Sequence, residues 1–308
     1  MINRVLIRIK AVQMVYAYYQ SGNKDLVKAE KEFFHSLEKS YDLYFYLLQL
    51  ILAVTHFAEQ RIDAGRNKYL PTDEEKNPNL RFVNNAFVDQ LAKNESLNHH
   101  ISNSGMSWAN EAPFVKALYE KIITEDFFLE YMNEEAPSYE SDKEVWRKVF
   151  KRVLQQSEEL YDVLEEQSIY WNDDLDIVIT FVIKSIKRFE PSTGAEQPLL
   201  SMYKDESDKV YASNLFRGSI IHGLSYRTLI EEATKNWELE RLALMDLLIL
   251  QVAIAEIVEI EGIPVNVSLN EYIDIAKVYS TQKSGTFVNG ILDQVVTTLR
   301  EQNKLFKA

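Results

Sequence analysis

The residue types around Lys283 are suited to binding an anion. Ser284 and Thr286 are typical helix-capping residues, and apolar residues then recur every four positions, so a helix is predicted to begin here. The apolar residues with this spacing are Phe287, Ile291, Val295 and Leu299. A helix N-terminus has N–H groups without intrahelical partners, and together with a lysine these suit a phosphate group. The alternative is an ordinary capped helix in which Phe287 is core and Asn289 bonds locally, and both interpretations stay open.

A second set of cations lies at the N-terminus, before the first acidic residue, Asp25. The cations of this segment are Arg4, Arg8, Lys10 and Lys24. Arg4 and Arg8 are four residues apart, away from the apolar stripe of the predicted helix, so we expect both to face outward. By the same helical spacing, Lys10 lies on a different side of the helix from Arg4 and Arg8. A basic start on an acidic chain suits a localised contact with RNA, but the residues by themselves favour the alternative, a pair of solvated arginines near a helix N-terminus.

Composition excludes several classes of protein. A net charge of -13 argues against nonspecific coating of nucleic acid, since phosphates require a positive surface. The absence of cysteine excludes disulfides and thiolate sites. The first ten residues lack the long apolar core of a signal peptide, and no membrane span is expected, so we predict a cytoplasmic protein.

Helical spacing dominates the chain, so the predicted fold class is all-α. Leu242 to Ile260 is nearly all apolar and is predicted to be the central helix of the core. Val267 to Tyr272 has the form of a capping box, with Ser268 as the N-cap, so a helix is predicted from about Leu269 to Tyr279. Gly290 lies within a helical pattern, which predicts a close neighbour at its backbone.

The rest of the chain is predicted to be helical segments separated by connectors. Asp25 to Ala64 is interpreted as two helices with an aromatic core, and Pro191 to Asp208 as the strongest boundary. Residues 79–144 are interpreted as inserted helices. The predicted division is residues 1–70 for the N-terminal helices, 71–144 for the inserted segment and linker, 145–210 for further helices and a linker, and 211–308 for the C-terminal core.

No residues support a metal site or catalysis. His99 and His100 are adjacent, so on a helix they diverge by about 100 degrees, and a surface pair is expected. Asp173 and Asp174 are predicted to cap a helix rather than to hold a cation. No cofactor-binding glycine motif or catalytic motif occurs, so no cofactor and no enzyme activity are expected.

The order of several segments resembles the NusB family of bacterial transcription antitermination factors. The segments after Trp237 that carry this resemblance are Leu250 to Ile257, Ile263-Pro264, Ser268 to Lys277 and Phe287 to Asp293. The first twenty residues resemble the first helix of the family, with Ala11, Val12, Gln13 and Tyr16 matching. The sequence departs from the family pattern where Val5, Leu6 and Ile7 replace part of a basic run, which predicts weak RNA binding by the protein alone.

The resemblance implies a NusB-like helical bundle with additional inserted helices. It also implies binding to boxA-type RNA together with a NusE-type ribosomal protein, in the transcription elongation complex. The RNA-binding residues that it implies are Arg4, Arg8, Lys10, Gln13, Tyr16, Lys283, Ser284, Thr286, Phe287 and Asn289. Two alternative functions stay open: a helical protein-interaction module that has lost RNA binding, and a domain associated with an RNA methyltransferase. A homodimer also stays open as the oligomeric state.

Overall fold

The computed structural model describes residues 1–22, 24–234, 243–281 and 283–307. The protein is 76% helical, and no strand occurs among these residues, so the all-α prediction is confirmed. Trp237 and Leu242, which figured in the sequence interpretation, lie outside the described residues.

The α-helices of the described ranges are numbered in chain order. The first eight are α1 (Arg4–Gln20), α2 (Leu26–Arg66), α3 (Asp73–Lys76), α4 (Ala86–Ala92), α5 (Glu95–Ser104), α6 (Ala112–Ile122), α7 (Asp126–Met132) and α8 (Tyr139–Lys148). The others are α9 (Glu158–Gln167), α10 (Leu175–Arg188), α11 (Glu206–Ile221), α12 (Gly223–Ala233), α13 (Leu244–Glu259), α14 (Val265–Tyr279) and α15 (Ser284–Glu301). Short 3-10 helices occupy Trp108–Glu111, Leu154–Gln156 and Pro191–Glu196, and a π-helix occupies Val149–Val153.

The chain forms two compact units. We call Ile2–Glu38 with Tyr203–Ala308 the split unit, and Lys39–Met202 with Met1 the insert. The boundary between Met202 and Tyr203 falls within the segment predicted as the strongest boundary. The four-part division made from sequence patterns stays a prediction.

The split unit is built around α13. Its residues from Leu248 to Ile257 are all buried, as predicted for a central core helix, and α11, α12, α14 and α15 pack against it. α1 packs on α11 and α13. α13 is thereby the helix on which α1 and α15, which carry most of the candidate site residues, are packed.

Two local predictions in the split unit are wrong. α14 begins at Val265, after Pro264, and Ser268 lies inside it, so Ser268 is not an N-cap. The helix begins three residues before Ser268 because the fixed backbone angle of Pro264 suits a position at the start of a helix. Gly290 is exposed and no atom lies within 4 Å of where its Cβ would be. The close approach occurs at Gly285, where a Cβ would lie 2.9 Å from Lys277 Cγ.

α2 is a single helix of 41 residues, whereas two helices were predicted. No glycine or proline interrupts the sequence between Leu26 and Ala64, so nothing breaks the hydrogen-bond ladder. By length and composition α2 alone among the described helices could cross a membrane, but 61% of its most apolar window is buried in the protein. That burial is typical of a core helix.

The insert has an aromatic core. Tyr46 stacks on Trp108 with ring centroids 4.1 Å apart, and Trp171 lies 5.4 Å from Tyr46. The buried rings of Tyr44 and Phe45 confirm the prediction that the aromatic residues of this region are core.

Two polar expectations in the insert need correction. Asp174 occupies the N-cap position of α10 but makes no capping bond with its side chain. Its Oδ2 instead accepts a hydrogen bond of 2.5 Å from Ser40 Oγ. His100 is not a plain surface residue, because its ring stacks on Phe45 and Nε2 lies 3.2 Å from Asp42 Oδ1. No group of three metal-ligand side chains occurs in the described ranges.

Candidate nucleic-acid interface

The two halves of α1 have different environments. Asn3 caps the helix by accepting a hydrogen bond of 2.9 Å from the N–H of Leu6. From Leu6 to Val12 every residue is buried, whereas the second half of α1 exposes one side. Surface for a ligand is therefore concentrated in the second half.

Arg8 lies in the buried half, so the prediction that it faces outward is wrong. Its side chain is 3% exposed. Nε and one terminal nitrogen donate to the two carboxylate oxygens of Glu256, over 2.8 and 3.0 Å. The other terminal nitrogen lies 3.2 Å from a carboxylate oxygen of Glu271. This two-pronged geometry uses the planar fork of arginine to neutralise a carboxylate inside the core.

Glu256 collects further hydrogen bonds. Ser268 Oγ donates to it over 2.7 Å, Tyr272 OH over 3.2 Å, and Tyr211 OH also donates to it. Burial and then the negative charge of Glu256 raise the pKa of both tyrosines well above their ordinary value. Burial alone would lower the pKa of Arg8, but the hydrogen bond with Glu256 and the nearby negative charges raise it. The cluster therefore holds Arg8 between two carboxylates, and hydroxyl groups donate to that of Glu256.

The other N-terminal cations differ from each other. Lys10 is 2% exposed, which removes it from the surface. Arg4 has a side chain that is 43% exposed, lies 3.7 Å from Asp208 and extends over the ring of Tyr211 at 5.1 Å. Among Arg4, Arg8 and Lys10, only Arg4 lies at the surface.

The second half of α1 carries two accessible residues that were predicted to bind RNA. Tyr16 is 37% exposed, and Gln13 is half-buried. They lie about one turn apart on the same side of the helix. An exposed aromatic ring beside an amide is a pair of groups that can stack on a base and hydrogen-bond to it.

The start of α15 is as predicted, but its chemistry is not. Ser284 is buried, and its Oγ donates to the carboxylate of Asp246 over 3.0 Å while accepting from the N–H of Thr281 over 3.1 Å. Asp246 is itself buried. A carboxylate therefore already lies near this helix N-terminus, and it competes with a phosphate through charge repulsion. Lys283 and Thr286 are exposed.

Phe287 and Asn289 are half-buried. The Phe287 ring is therefore less enclosed than a core ring such as that of Tyr272. Asn289 Nδ2 donates to Asp293 Oδ2 over 3.2 Å, one turn later on α15. That bond agrees with the interpretation in which Asn289 bonds locally.

The two predicted sets of residues meet different ends of α13. Arg8 binds Glu256 and Ser284 binds Asp246, and these acidic residues are ten positions apart. The separation along the helix axis is about 15 Å. One phosphate cannot contact both places, whereas several nucleotides of an extended strand can span that distance.

Sequence reasoning did not single out a third cluster, formed by Tyr19, Arg227 and Gln251. The guanidinium of Arg227 lies 4.4 Å from the ring centre of Tyr19, and its Nε donates to Gln251 Oε1 over 2.9 Å. Gln251 is a polar residue within the apolar sequence of α13, which is the one signal that could have indicated a buried contact there.

The split unit is thus an all-helical body with few accessible cations on α1 and α15. The sequence profile of the NusB family matches residues 187–297. The chain is 37% identical to the transcription antitermination protein NusB of Salinibacter ruber over 132 residues, which cover 41% of this chain and 82% of that protein. It is 38% identical to the protein of the same name from Geobacter sulfurreducens over 117 residues, 36% of this chain and 85% of the relative.

A third relative, the transcription antitermination protein NusB of Listeria monocytogenes, is 36% identical over 100 residues, 32% of this chain and 77% of the relative. No solved structure gives a significant match. The chain belongs to the NusB family.

Proposed function

We propose that this NusB-family protein binds boxA-type RNA together with a NusE-type ribosomal protein and acts within the transcription elongation complex. The observation that carries the proposal is membership of a family whose relatives are named transcription antitermination proteins, each matched over more than three quarters of its length. The matched profile lies mostly in the split unit.

The proposed contacts fall into two groups. Arg4, Gln13 and Tyr16 contact RNA along α1, and Lys283 with Thr286 contacts it at the start of α15. Phe287 and Asn289 are proposed as weaker contacts there, because each is half-buried. We propose that the buried residues hold α1 and α15 in position and do not contact RNA. These residues are Arg8, Lys10 and Ser284.

Because α1 and the start of α15 have few accessible cations, we expect the protein alone to bind RNA weakly. With the partner present, we expect stronger binding. A fluorescence anisotropy titration with labelled boxA-type RNA, with and without the NusE-type protein, tests this. A scrambled RNA of the same length is the control. Equal affinity for both RNAs, unchanged by the partner, would overturn the proposal.

A second function is favoured by the burial of Arg8 and Lys10, which leaves less positive surface than the basic pattern suggested. In that case the protein is a helical interaction module that binds its protein partner and no RNA. Partner binding in a pull-down, without RNA binding in the titration, would select this alternative.

We further propose a non-enzymatic, cytoplasmic protein. A homodimer also stays a prediction, and sedimentation analysis of the purified protein tests it.

A further inference from the structure

Arg227 on α12 is a half-buried arginine that forms no ion pair with a carboxylate of the described residues. Its guanidinium stacks on the ring of Tyr19 at 4.4 Å, and its Nε donates to the neutral amide of Gln251. The terminal nitrogens make no hydrogen bond to any residue in the described ranges. Arg8, in contrast, is paired with the carboxylates of Glu256 and Glu271. Among the described residues, the terminal N–H donors of Arg227 therefore remain available for a ligand.

The cluster that holds Arg227 is tightly built. Gln251 Nε2 donates to Tyr19 OH over 3.0 Å and to the carbonyl of Ser219 over 2.6 Å, which fixes the amide with its oxygen toward Arg227. At Gly223, the first residue of α12, a Cβ would lie 2.6 Å from Tyr19 OH and 2.7 Å from Gln251 Nε2. A larger residue at this position would displace the end of one of these two side chains, so glycine preserves the geometry of the cluster. Arg227 is therefore preorganised, and ordering it on binding costs little.

The surface next to this cluster is the open half of α1. Tyr16 lies one turn before Tyr19, on a neighbouring part of the helix surface, and is 37% exposed. Tyr16 is thus one helical turn from Tyr19, the ring over which the Arg227 guanidinium lies. Single-stranded RNA is recognised by such pairs, because bases stack on aromatic rings while arginine binds phosphate.

We propose that Arg227 and Tyr16 form a base-and-phosphate contact for single-stranded RNA, with Tyr19 and Gln251 as positioning residues. This inference rests on the proposed function, and it moves the main cation of the RNA site from the buried start of α1 to α12. Arg227 donates to a phosphate, and Tyr16 stacks on the adjoining base. Glu231, exposed one turn after Arg227 on α12, opposes this contact through its negative charge.

The test is an RNA titration of Arg227→Gln, with the NusE-type protein present. We expect affinity to fall about tenfold, as for loss of one charge-assisted hydrogen bond. The slope of log affinity against log salt should fall by about 0.7, the value for one phosphate on a single strand. Glu231→Gln should change affinity in the opposite direction, by about twofold. Tyr16→Ala should weaken binding about fivefold without changing the salt slope.

The matched control is Arg217→Gln, since Arg217 is a partly exposed arginine of the same unit that is paired with Glu30 over 2.8 Å. It should leave affinity and slope unchanged. Thermal melts followed by circular dichroism establish that each variant is folded. If Arg227→Gln is unfolded, Arg227→Lys and Glu231→Gln carry the test, with reduced affinity for the first and increased affinity for the second.

The outcomes separate this inference from the proposed function. No binding of boxA-type RNA by the unaltered protein, with or without partner, overturns the proposed function. Full RNA binding by the unaltered protein, with the same affinity and salt slope in Arg227→Gln, overturns this inference alone. A loss of partner binding in Arg227→Gln, without a change in salt slope, also overturns it, because the arginine would then belong to a protein interface.

Discussion

The split unit and the insert differ in charge and in the construction of their cores. The split unit has 17 Lys and Arg against 19 Asp and Glu, a net charge of -2, whereas the insert has 17 against 28, a net charge of -11. The acidity that argued against nucleic acid binding therefore belongs mostly to the insert. The net charge of a whole chain is a poor guide to RNA binding when one unit supplies most of it.

The cores differ as well. In the split unit a buried ion pair, Arg8 with Glu256, joins α1 to α13. In the insert, stacked aromatic rings occupy much of the interior, together with hydrogen bonds such as the one of 2.6 Å between Tyr44 and Ser185. Loss of the Glu256 carboxylate should therefore have a large effect on the split unit. Three of the four tryptophans, Trp108, Trp146 and Trp171, belong to the insert, so tryptophan fluorescence mainly reports that unit.

The largest expected effect is that of Glu256→Ala. It leaves Arg8 buried without its main counter-ion, which should cost about 3 to 5 kcal/mol of stability. Urea unfolding followed by far-ultraviolet circular dichroism measures the loss, while tryptophan fluorescence should report a nearly unchanged insert. Glu301→Ala, at the exposed end of α15, is the control. A loss below about 1 kcal/mol would show that the ion pair does not hold the unit together.

The second prediction concerns the insert at high pH. Burial raises the pKa of Tyr44 to about 12. The unfolded chain loses this proton first, so the stabilisation is complete below about pH 10 and is lost as the pH rises toward 12. The expected loss from this residue is roughly 2 to 3 kcal/mol.

Urea unfolding followed by tryptophan fluorescence at several alkaline pH values checks this. Tyr44→Phe should make the decline between pH 10 and 12 shallower. An identical decline in both proteins would mean that Tyr44 is not the group that titrates.

The third prediction replaces the capping interpretation of Ser268. Ser268→Ala should cost about 1 to 3 kcal/mol, because Glu256 loses a buried hydrogen bond. The double variant with Glu256→Ala should be less destabilised than the sum of the two single variants, since the serine then has no carboxylate to bind. Full additivity in the unfolding measurements would contradict the contact.

The fourth prediction separates surface cations from buried ones. Arg4→Ala should change stability by less than about 1 kcal/mol because the side chain is partly exposed. It should lower the salt slope of RNA binding by about 0.7, and Lys283→Ala should do the same. Lys151→Ala, an exposed cation of the insert, is the control. An unchanged slope in the double variant of Arg4 and Lys283 would remove both residues from the RNA site.

The smallest effect is expected from the charge of the insert. Glu165→Gln with Glu166→Gln removes two exposed carboxylates. At physiological salt the affinity for RNA should change less than about twofold, because salt screens exposed charges that do not contact the RNA directly. The same titration at low salt should show a larger change. A large increase at physiological salt would mean that these carboxylates act directly at the RNA site.

The sequence alone was sufficient where the information is local or periodic. The fold class, the central position of α13 and the start of α15 follow from apolar spacing and capping residues, and the order of segments indicated the NusB family. Local patterns failed at Ser268, because a serine and a glutamate three residues apart also occur inside helices. They also failed for α2, where no residue marks an end to the helix.

Only the tertiary structure decided which polar groups remain accessible. Arg8 and Arg4 are equivalent by helical spacing, yet one is buried because Glu256, 248 positions away, supplies a carboxylate at the matching point of α13. Ser284 is likewise hydrogen-bonded to Asp246, whereas the side chain that Arg227 meets on α13 is the neutral amide of Gln251. Burial and charge pairing depend on residues far away in the chain, so periodicity determined the helices while packing determined which side chains can reach RNA.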